Sequence, residues 1–295
     1  MTVAKIMNVD TPLATTTLGG TGLTVSRMAL GGFDALGQAG FERAVELGVN
    51  FLISFPGYER EQRAIGRAAR RVARDAIVLA TGTAGRSASS VRRDLKRSLA
   101  TLRTDYVDAF YLYHVTCDAW PRICAPNGAL VQLARARRAG LVRFAGVTVH
   151  NRALARQIIE SEQIDVINLR YSLAHPGQEA RVLPAAAQHN CGVVAYSALK
   201  YGLLVNRPDG WPARPRIPTP AECYRFVLGH PAVHVAWVGA RTVAQVEANV
   251  AAIRPFVPLR NATQRCLRRF GRYVHDASPA TPHDGAQPKG PARRP

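Results

Sequence analysis

A chain of 295 residues, 47% of them hydrophobic, has enough apolar material for one large core, and a single barrel of about 250 residues fits within it. No stretch approaches the ~18 uninterrupted apolar residues of a membrane span, and no apolar run follows a basic start, so neither membrane insertion nor a secretory signal is expected. The formal charge of +19 is almost all arginine, spread over the polar faces of predicted helices (Arg92, Arg93, Arg97; Arg135, Arg137, Arg138) rather than interleaved with aromatics, which argues against specific nucleic-acid binding.

Residues 1–16 read as a flexible N-terminus. The segment Leu18-Gly-Gly-Thr-Gly-Leu-Thr-Val25 reads as a β-hairpin able to plug the bottom of a barrel. Short β-rich runs then alternate with helical patterns: Met28–Gly31, Asn50–Ile53, Ile77–Ala80, Val107–Tyr113, Val142–Val147, Val166–Leu169, Val193–Tyr196 and Val235–Val238. Between them, Val91, Leu95, Leu99 and Leu102 recur at near-helical spacing behind Ser89 as N-cap, and Val243, Val246 and Val250 do so behind Thr242. Eight such alternations predict a (β/α)8 TIM barrel over 17–275, in the α/β class, and no G-x-G-x-x-G follows the first strand to suggest a Rossmann domain. Asn206–Pro220, rich in Pro, Arg and Gly, reads as a loop over the carboxyl face, and 276–295 as a disordered tail. The cysteines Cys117, Cys124, Cys191, Cys223 and Cys266 show no C-x-x-C spacing, so no metal site is predicted and reduced thiols in a cytoplasmic protein are expected.

Several blocks, in order, resemble the aldo-keto reductase superfamily over roughly 17–257: LGGTGLTVSRMALGG (18–32), ELGVNFLISFPGYEREQRAIGRA (46–68), TDYVDAFYLYH (104–114), GVTVHN (146–151), GVVAYSALKYGLL (192–204) and HPAVHVAWVGARTVAQVEAN (230–249). The form GVTVHN is similar to the branch whose fifth strand ends G-x-S-x-H-N. The resemblance implies hydride transfer from a nicotinamide to a carbonyl, with a tyrosine as proton donor, a lysine–aspartate pair that lowers its pKa, and a histidine that orients the substrate oxygen. Such help is needed because a free phenol, with pKa near ~10, is poorly matched to neutral pH.

Carried onto this chain, the tyrosine falls on Tyr58 and the histidine on His114. The aspartate position holds Ile53 and the lysine position Gly82, so the tetrad is degenerate. The two losses are coupled, since removing one partner alone would strand a buried charge at ~3–5 kcal/mol. Restoring both, by Ile53→Asp with Gly82→Lys, is expected to raise carbonyl reduction. Lys96 lies inside a helix, whereas Lys200 follows a strand and can approach the pocket mouth. Glu59 and Glu61 read as a solvated face, with a base beside Tyr58 as the alternative.

The implied cofactor elements are better kept. Gly239, Arg241, Thr242, Gln245 and Asn249 are similar to the family's strand and helix that bind the adenosine phosphate, and an arginine there favours NADP over NAD. Tyr196 matches the aromatic that stacks on the nicotinamide. Thr148 and Asn168 match the carboxamide holders, where Ser and Gln are usual; Ser197, Leu199 and Lys200 fall near the pyrophosphate. Three functions stay open: NADP-dependent reduction of a small carbonyl substrate; a non-redox dehydratase, isomerase or cyclase on the same scaffold; and a non-catalytic nicotinamide-binding protein. The sequence specifies neither the substrate nor the oligomeric state.

Overall fold

The computed structural model describes residues 12–32, 34–254 and 256–277. Ten strands and ten α-helices follow in chain order. An antiparallel hairpin, β1 (Thr15–Thr17) and β2 (Thr24–Ser26), opens the chain, joined by a turn of 3-10 helix at Gly19–Thr21. The barrel then runs β3 (Met28–Leu30), α1 (Gln38–Glu46), β4 (Phe51–Ile53), α2 (Glu59–Ala69), β5 (Val78–Thr83), α3 (Ala88–Leu102), β6 (Val107–Val115), α4 (Trp120–Cys124), α5 (Ala129–Arg138), β7 (Val142–Val149) and α6 (Arg152–Glu160). It continues through β8 (Val166–Arg170), α7 (Val182–Gln188), β9 (Gly192–Tyr196), α8 (Pro220–Leu228), β10 (Val235–Val238) and α9 (Val243–Ile253); α10 (Asn261–Ala277) follows. The eight strands β3–β10 are parallel, neighbours run in chain order, and β10 closes on β3 through Ala236–Met28, Trp237–Ala29 and Val238–Leu30. This is the (β/α)8 barrel expected from the alternation.

Period-two alternation sorts the side chains. One parity (Phe51 and Ile53, Val78 and Ala80, Tyr111 and Tyr113, Val166, Val194, Val235) fills the barrel interior, and the other packs against the helices. The hairpin supplies Leu18, Leu23 and Val25 to that same interior cluster, and the Gly20 amide donates to the Asn190 carbonyl at 2.6 Å. The amino end of the barrel is therefore closed by apolar side chains, which leaves the carboxyl rim for chemistry.

Local signals explain most boundaries. The N-cap of α3 lies two residues before the expected one: the Ser87 hydroxyl accepts from the Ser90 amide, so Ser87 rather than Ser89 is its N-cap. Thr242 caps α9 as expected, accepting from Gln245. The predicted flexible N-terminus is shorter than expected, because Leu13 is buried in the core and Thr15–Thr17 pairs with Thr24–Ser26; residues 1–11 lie outside the described residues. The predicted loop ends at Thr219, which forms a capping box with Glu222 and starts α8 at Pro220. Asp276 and Ala277, assigned to the tail, close α10, and residues 278–295 lie outside the described residues.

α10 itself was not anticipated, because its apolar positions Leu267, Phe270 and Val274 are few among arginines. It docks through particular contacts. Phe270 and Tyr273 pack edge-on to Trp211, and the Tyr273 hydroxyl donates to the Asp209 carbonyl at 2.6 Å. No helix among the described residues is long and apolar enough to cross a membrane.

Candidate active site

Tyr58 and His114 both follow carboxyl ends of barrel strands. Tyr58 is the residue before α2, five positions beyond the end of β4, and His114 is the penultimate residue of β6, at its carboxyl end. A collar of rings joins them around the rim. Tyr58 meets Phe55 at 5.9 Å between centroids, Phe55 meets Trp237 at 5.1 Å, and Trp237 meets Tyr196 at 6.2 Å. From there Tyr196 meets His150 at 5.9 Å, and His150 stacks on His114 at 5.6 Å with planes 9° apart. Across the barrel, Phe55 lies 4.2 Å from Tyr113, the neighbour of His114. The resemblance thus names three residues of a larger aromatic collar, Tyr58, His114 and Tyr196; Phe55, Tyr113, His150 and Trp237 were not singled out. Phe55 and Trp237 betray themselves in sequence only as aromatics at strand ends.

His114 is held in an unusual backbone state. Its φ is 52°, in the left-handed region, and Arg86 clamps it: Nη2 donates to the His114 carbonyl at 2.6 Å and Nη1 to the Tyr113 carbonyl at 2.8 Å. Burial lowers the Arg86 pKa from its ordinary value, with Arg122 adding to the effect. Ser197, Lys200 and Tyr201 also have positive φ, so the strained residues of the rim cluster where the site residues lie.

Tyr58 is a weak acid here. Burial, then the carboxylates of Glu61 and Asp34, push its phenol above the ordinary value. Glu61 corrects the sequence reading, since it does not belong to a solvated face. It is 1% exposed, and its two oxygens accept from the Gly32 amide at 2.9 Å and the Asp34 amide at 3.0 Å, while Asp34 accepts from the Glu61 amide. Glu61 thereby ties the loop after β3 to the start of α2. Glu59 is half-exposed and lies 4.0 Å from Arg97.

Gly82, the position that the sequence resemblance assigns to a lysine, is closed by packing. A Cβ on Gly82 would run into the carbonyl oxygen of Tyr111 on the paired strand and would sit 2.7 Å from Cε2 of Tyr113. Tyr113 is buried, its hydroxyl donates to the Ser54 carbonyl at 3.2 Å, and burial raises its pKa strongly. Ile53 is fully buried in the same interior cluster. An aromatic ring and an aliphatic chain thus fill the two positions, and this packing argues against the expectation that Ile53→Asp with Gly82→Lys raises activity.

On the opposite wall, Thr148 of β7 and Asn168 of β8 are direct register partners on the inward parity. Both are buried, yet Thr148 Oγ1 and both polar atoms of Asn168 lack a hydrogen-bond partner among the described residues. Each orphaned group costs about 1–3 kcal/mol unless a ligand satisfies it. A donor and two acceptors side by side fit a primary carboxamide, the polar group of a nicotinamide. Tyr196 stands next to them at the end of β9, its hydroxyl 3.1 Å from His150 Nδ1.

The phosphate end is less uniform. Arg241 is exposed at the start of α9, its amide donating to Gln245 Oε1 at 2.8 Å. Asn249 is engaged within the protein, accepting from the Tyr224 hydroxyl at 3.0 Å and donating to the Gly239 carbonyl at 3.4 Å. Ser197 and Leu199 lie on the half-buried loop after β9. Lys200 departs from expectation: it is 3% exposed, and its Nζ donates to the Val274 carbonyl at 3.3 Å, anchoring α10 instead of facing the pocket mouth.

A closed barrel with a polar, aromatic carboxyl rim fits many chemistries, and comparison with known proteins narrows them. Residues 37–216 match the model of the aldo/keto reductase family. The chain is 26% identical to L-galactose dehydrogenase of Arabidopsis thaliana over 80% of this chain and 86% of that protein. It is 23% identical to the NADH-specific methylglyoxal reductase of Escherichia coli K12 over 80% and 92%. Its fold superposes on the holo form of the aldo-keto reductase AKR11C1 from Bacillus halodurans with a TM-score of 0.75 at 22% identity, over 92% of this chain and 100% of that one. The chain belongs to the aldo/keto reductase family, an oxidoreductase family that acts on small molecules and generally uses nicotinamide cofactors.

Proposed function

We propose that this chain is an NADP(H)-dependent reductase of small carbonyl compounds that works with a degenerate tetrad. The observation that carries the reading is the orphaned set of Thr148 and Asn168, which offers a carboxamide the partners that the protein itself does not provide. In this reading Tyr196 packs against the nicotinamide, Ser197 and Leu199 lie along the pyrophosphate, and Arg241 with Thr242 and Gln245 at the start of α9 meets the adenosine phosphate. The bound nicotinamide supplies hydride. His114, fixed by Arg86, orients the carbonyl oxygen, and Tyr58 Oη gives its proton to the oxygen as charge develops there. Phe55, Tyr113 and Trp237 exclude water from that point.

Because Tyr58 has two carboxylates and no ammonium nearby, the carbonyl must already be reactive, as in activated aldehydes or quinones. The name of the Escherichia coli relative specifies NADH, whereas Arg241 argues for the 2′-phosphate of NADPH, so both cofactors belong in the test. The free thiols fit a reducing cytoplasmic setting. A second, non-redox reading is favoured by the His150–Tyr196 hydrogen bond and the stacked His114, which form an acid–base array independent of cofactor.

Single-turnover oxidation of bound NADPH and NADH against a panel of aldehydes and quinones separates these readings. Substrate-dependent oxidation that falls in Tyr58→Phe supports the first. Cofactor binding without any oxidation overturns it.

A further inference from the structure

We infer that a cavity flanking the rim binds the phosphate group of a small molecule. It measures about 700 Å³, within the ~300–1,000 Å³ range of small-molecule sites. Four arginines from three elements line it: Arg152 at the first turn of α6, Arg170 ending β8, and Arg268 with Arg272 on α10. Positions 268, 272 and 275 stand at i, i+4 and i+7, so one face of α10 presents two guanidinium groups and the His275 imidazole. No aspartate or glutamate contributes to the lining, and Glu179, outside it, pairs with Arg268 at 2.9 Å.

The wall is built to hold its cations in place. Arg152 Nη1 reaches the Gly177 carbonyl at 3.4 Å, and a Cβ on Gly177 would collide with that same nitrogen, so only glycine permits the approach. The Arg268 guanidinium lies over the Phe226 ring at 4.8 Å. Planar forks fixed on different elements around a bounded concavity suit a tetrahedral dianion, which several N–H groups can approach at once. A nucleic acid would call for an open basic stripe interleaved with exposed aromatics, and this concave site has no such form.

The position matters as much as the charge. His150 lines the cavity and also hydrogen-bonds Tyr196 and stacks on His114, so a molecule anchored by its phosphate here has its other end at the rim. The site lies beyond β7 and β8, whereas the expected cofactor phosphate site follows β10, two strands further round. Only the step from ligand to substrate rests on the reductase reading: there, the substrate is a phosphorylated carbonyl compound.

The test is calorimetric titration of inorganic phosphate at physiological ionic strength, with NADPH titrated in parallel. Wild-type protein is expected to bind one phosphate, and Arg152→Gln with Arg272→Gln to weaken it at least tenfold. Gly177→Ala, which leaves the net charge untouched, is expected to weaken it as well by displacing Arg152. Arg135→Gln with Arg138→Gln on α5 removes the same charge from an exposed face and should change nothing. Absence of phosphate binding, or equal weakening by the α5 pair, overturns the proposal. NADPH affinity of Asn168→Leu, in which the cavity is untouched, reports on the reductase reading: phosphate binding with NADPH affinity unchanged by Asn168→Leu removes that reading and keeps this one.

Discussion

The ring of Tyr113 stands where a side chain on Gly82 would have to pass, with Cε2 2.7 Å from the Cβ that any other residue would carry. A side chain at position 82 finds its volume already filled by the Tyr111 backbone and the Tyr113 ring.

Introducing Gly82→Lys together with Ile53→Asp is therefore expected to destabilise the barrel and leave carbonyl reduction no faster. The overpacking alone costs about 1–3 kcal/mol, and an aspartate in the apolar interior adds to it. Urea denaturation reads the loss. A stable double variant with faster turnover would show that the strands can part as they do not here.

Tyr58 sets a pH dependence. Burial, then Glu61 and Asp34, hold its phenol above the ordinary value. The acid therefore stays protonated at neutral and mildly alkaline pH, and reduction should not decline from this group there. Tyr58→Phe should lower the rate about 10²- to 10⁴-fold. An alkaline limb well below pH 10.0 that vanishes in Tyr58→Phe would contradict this.

Glu61 holds the loop after β3. Its replacement by alanine leaves the Gly32 and Asp34 amides without their carboxylate and should cost about 2–4 kcal/mol. It also removes one of the charges that raise Tyr58, so the tyrosine pKa should fall. Thermal melting and spectroscopic titration of the phenol check the two effects separately.

Acid stability should depend on Glu222, whose carboxyl the Arg216 guanidinium, helped by Thr219, lowers from 4.5 to about 2. The folded state binds this proton less readily than the unfolded chain. Its contribution is full above about pH 4.5 and is lost as pH falls through about 2. Glu222→Gln should flatten that part of the stability profile by roughly 2 kcal/mol. An unchanged acid limb would show that the ion pair is silent.

The barrel was legible because each strand carries its own β-rich run and each helix its own stripe, so local signals sum to the global answer. The resemblance picks out Tyr58, His114, Thr148 and Asn168, and the fold brings all four to the carboxyl half of the barrel, while their roles rest on the proposed function. What stayed hidden depends on contacts between distant segments. Glu61 looks like one more exposed helix carboxylate until Gly32 and Asp34 are folded against it. Lys200 looks like a pocket cation until α10 arrives to take it, and α10 has too few apolar positions to announce itself. The closure of Gly82 by Tyr113 is a packing fact between neighbouring strands that no spacing encodes.

The account turns on whether Asn168 and Thr148 are kept unpaired for a nicotinamide. Titration of NADPH fluorescence against wild-type protein, Asn168→Leu and Thr148→Val measures this directly. Saturable binding by wild type, weakened about tenfold by Asn168→Leu and less by Thr148→Val, is the predicted result. No binding at high micromolar NADPH, or the same affinity in all three proteins, would contradict it.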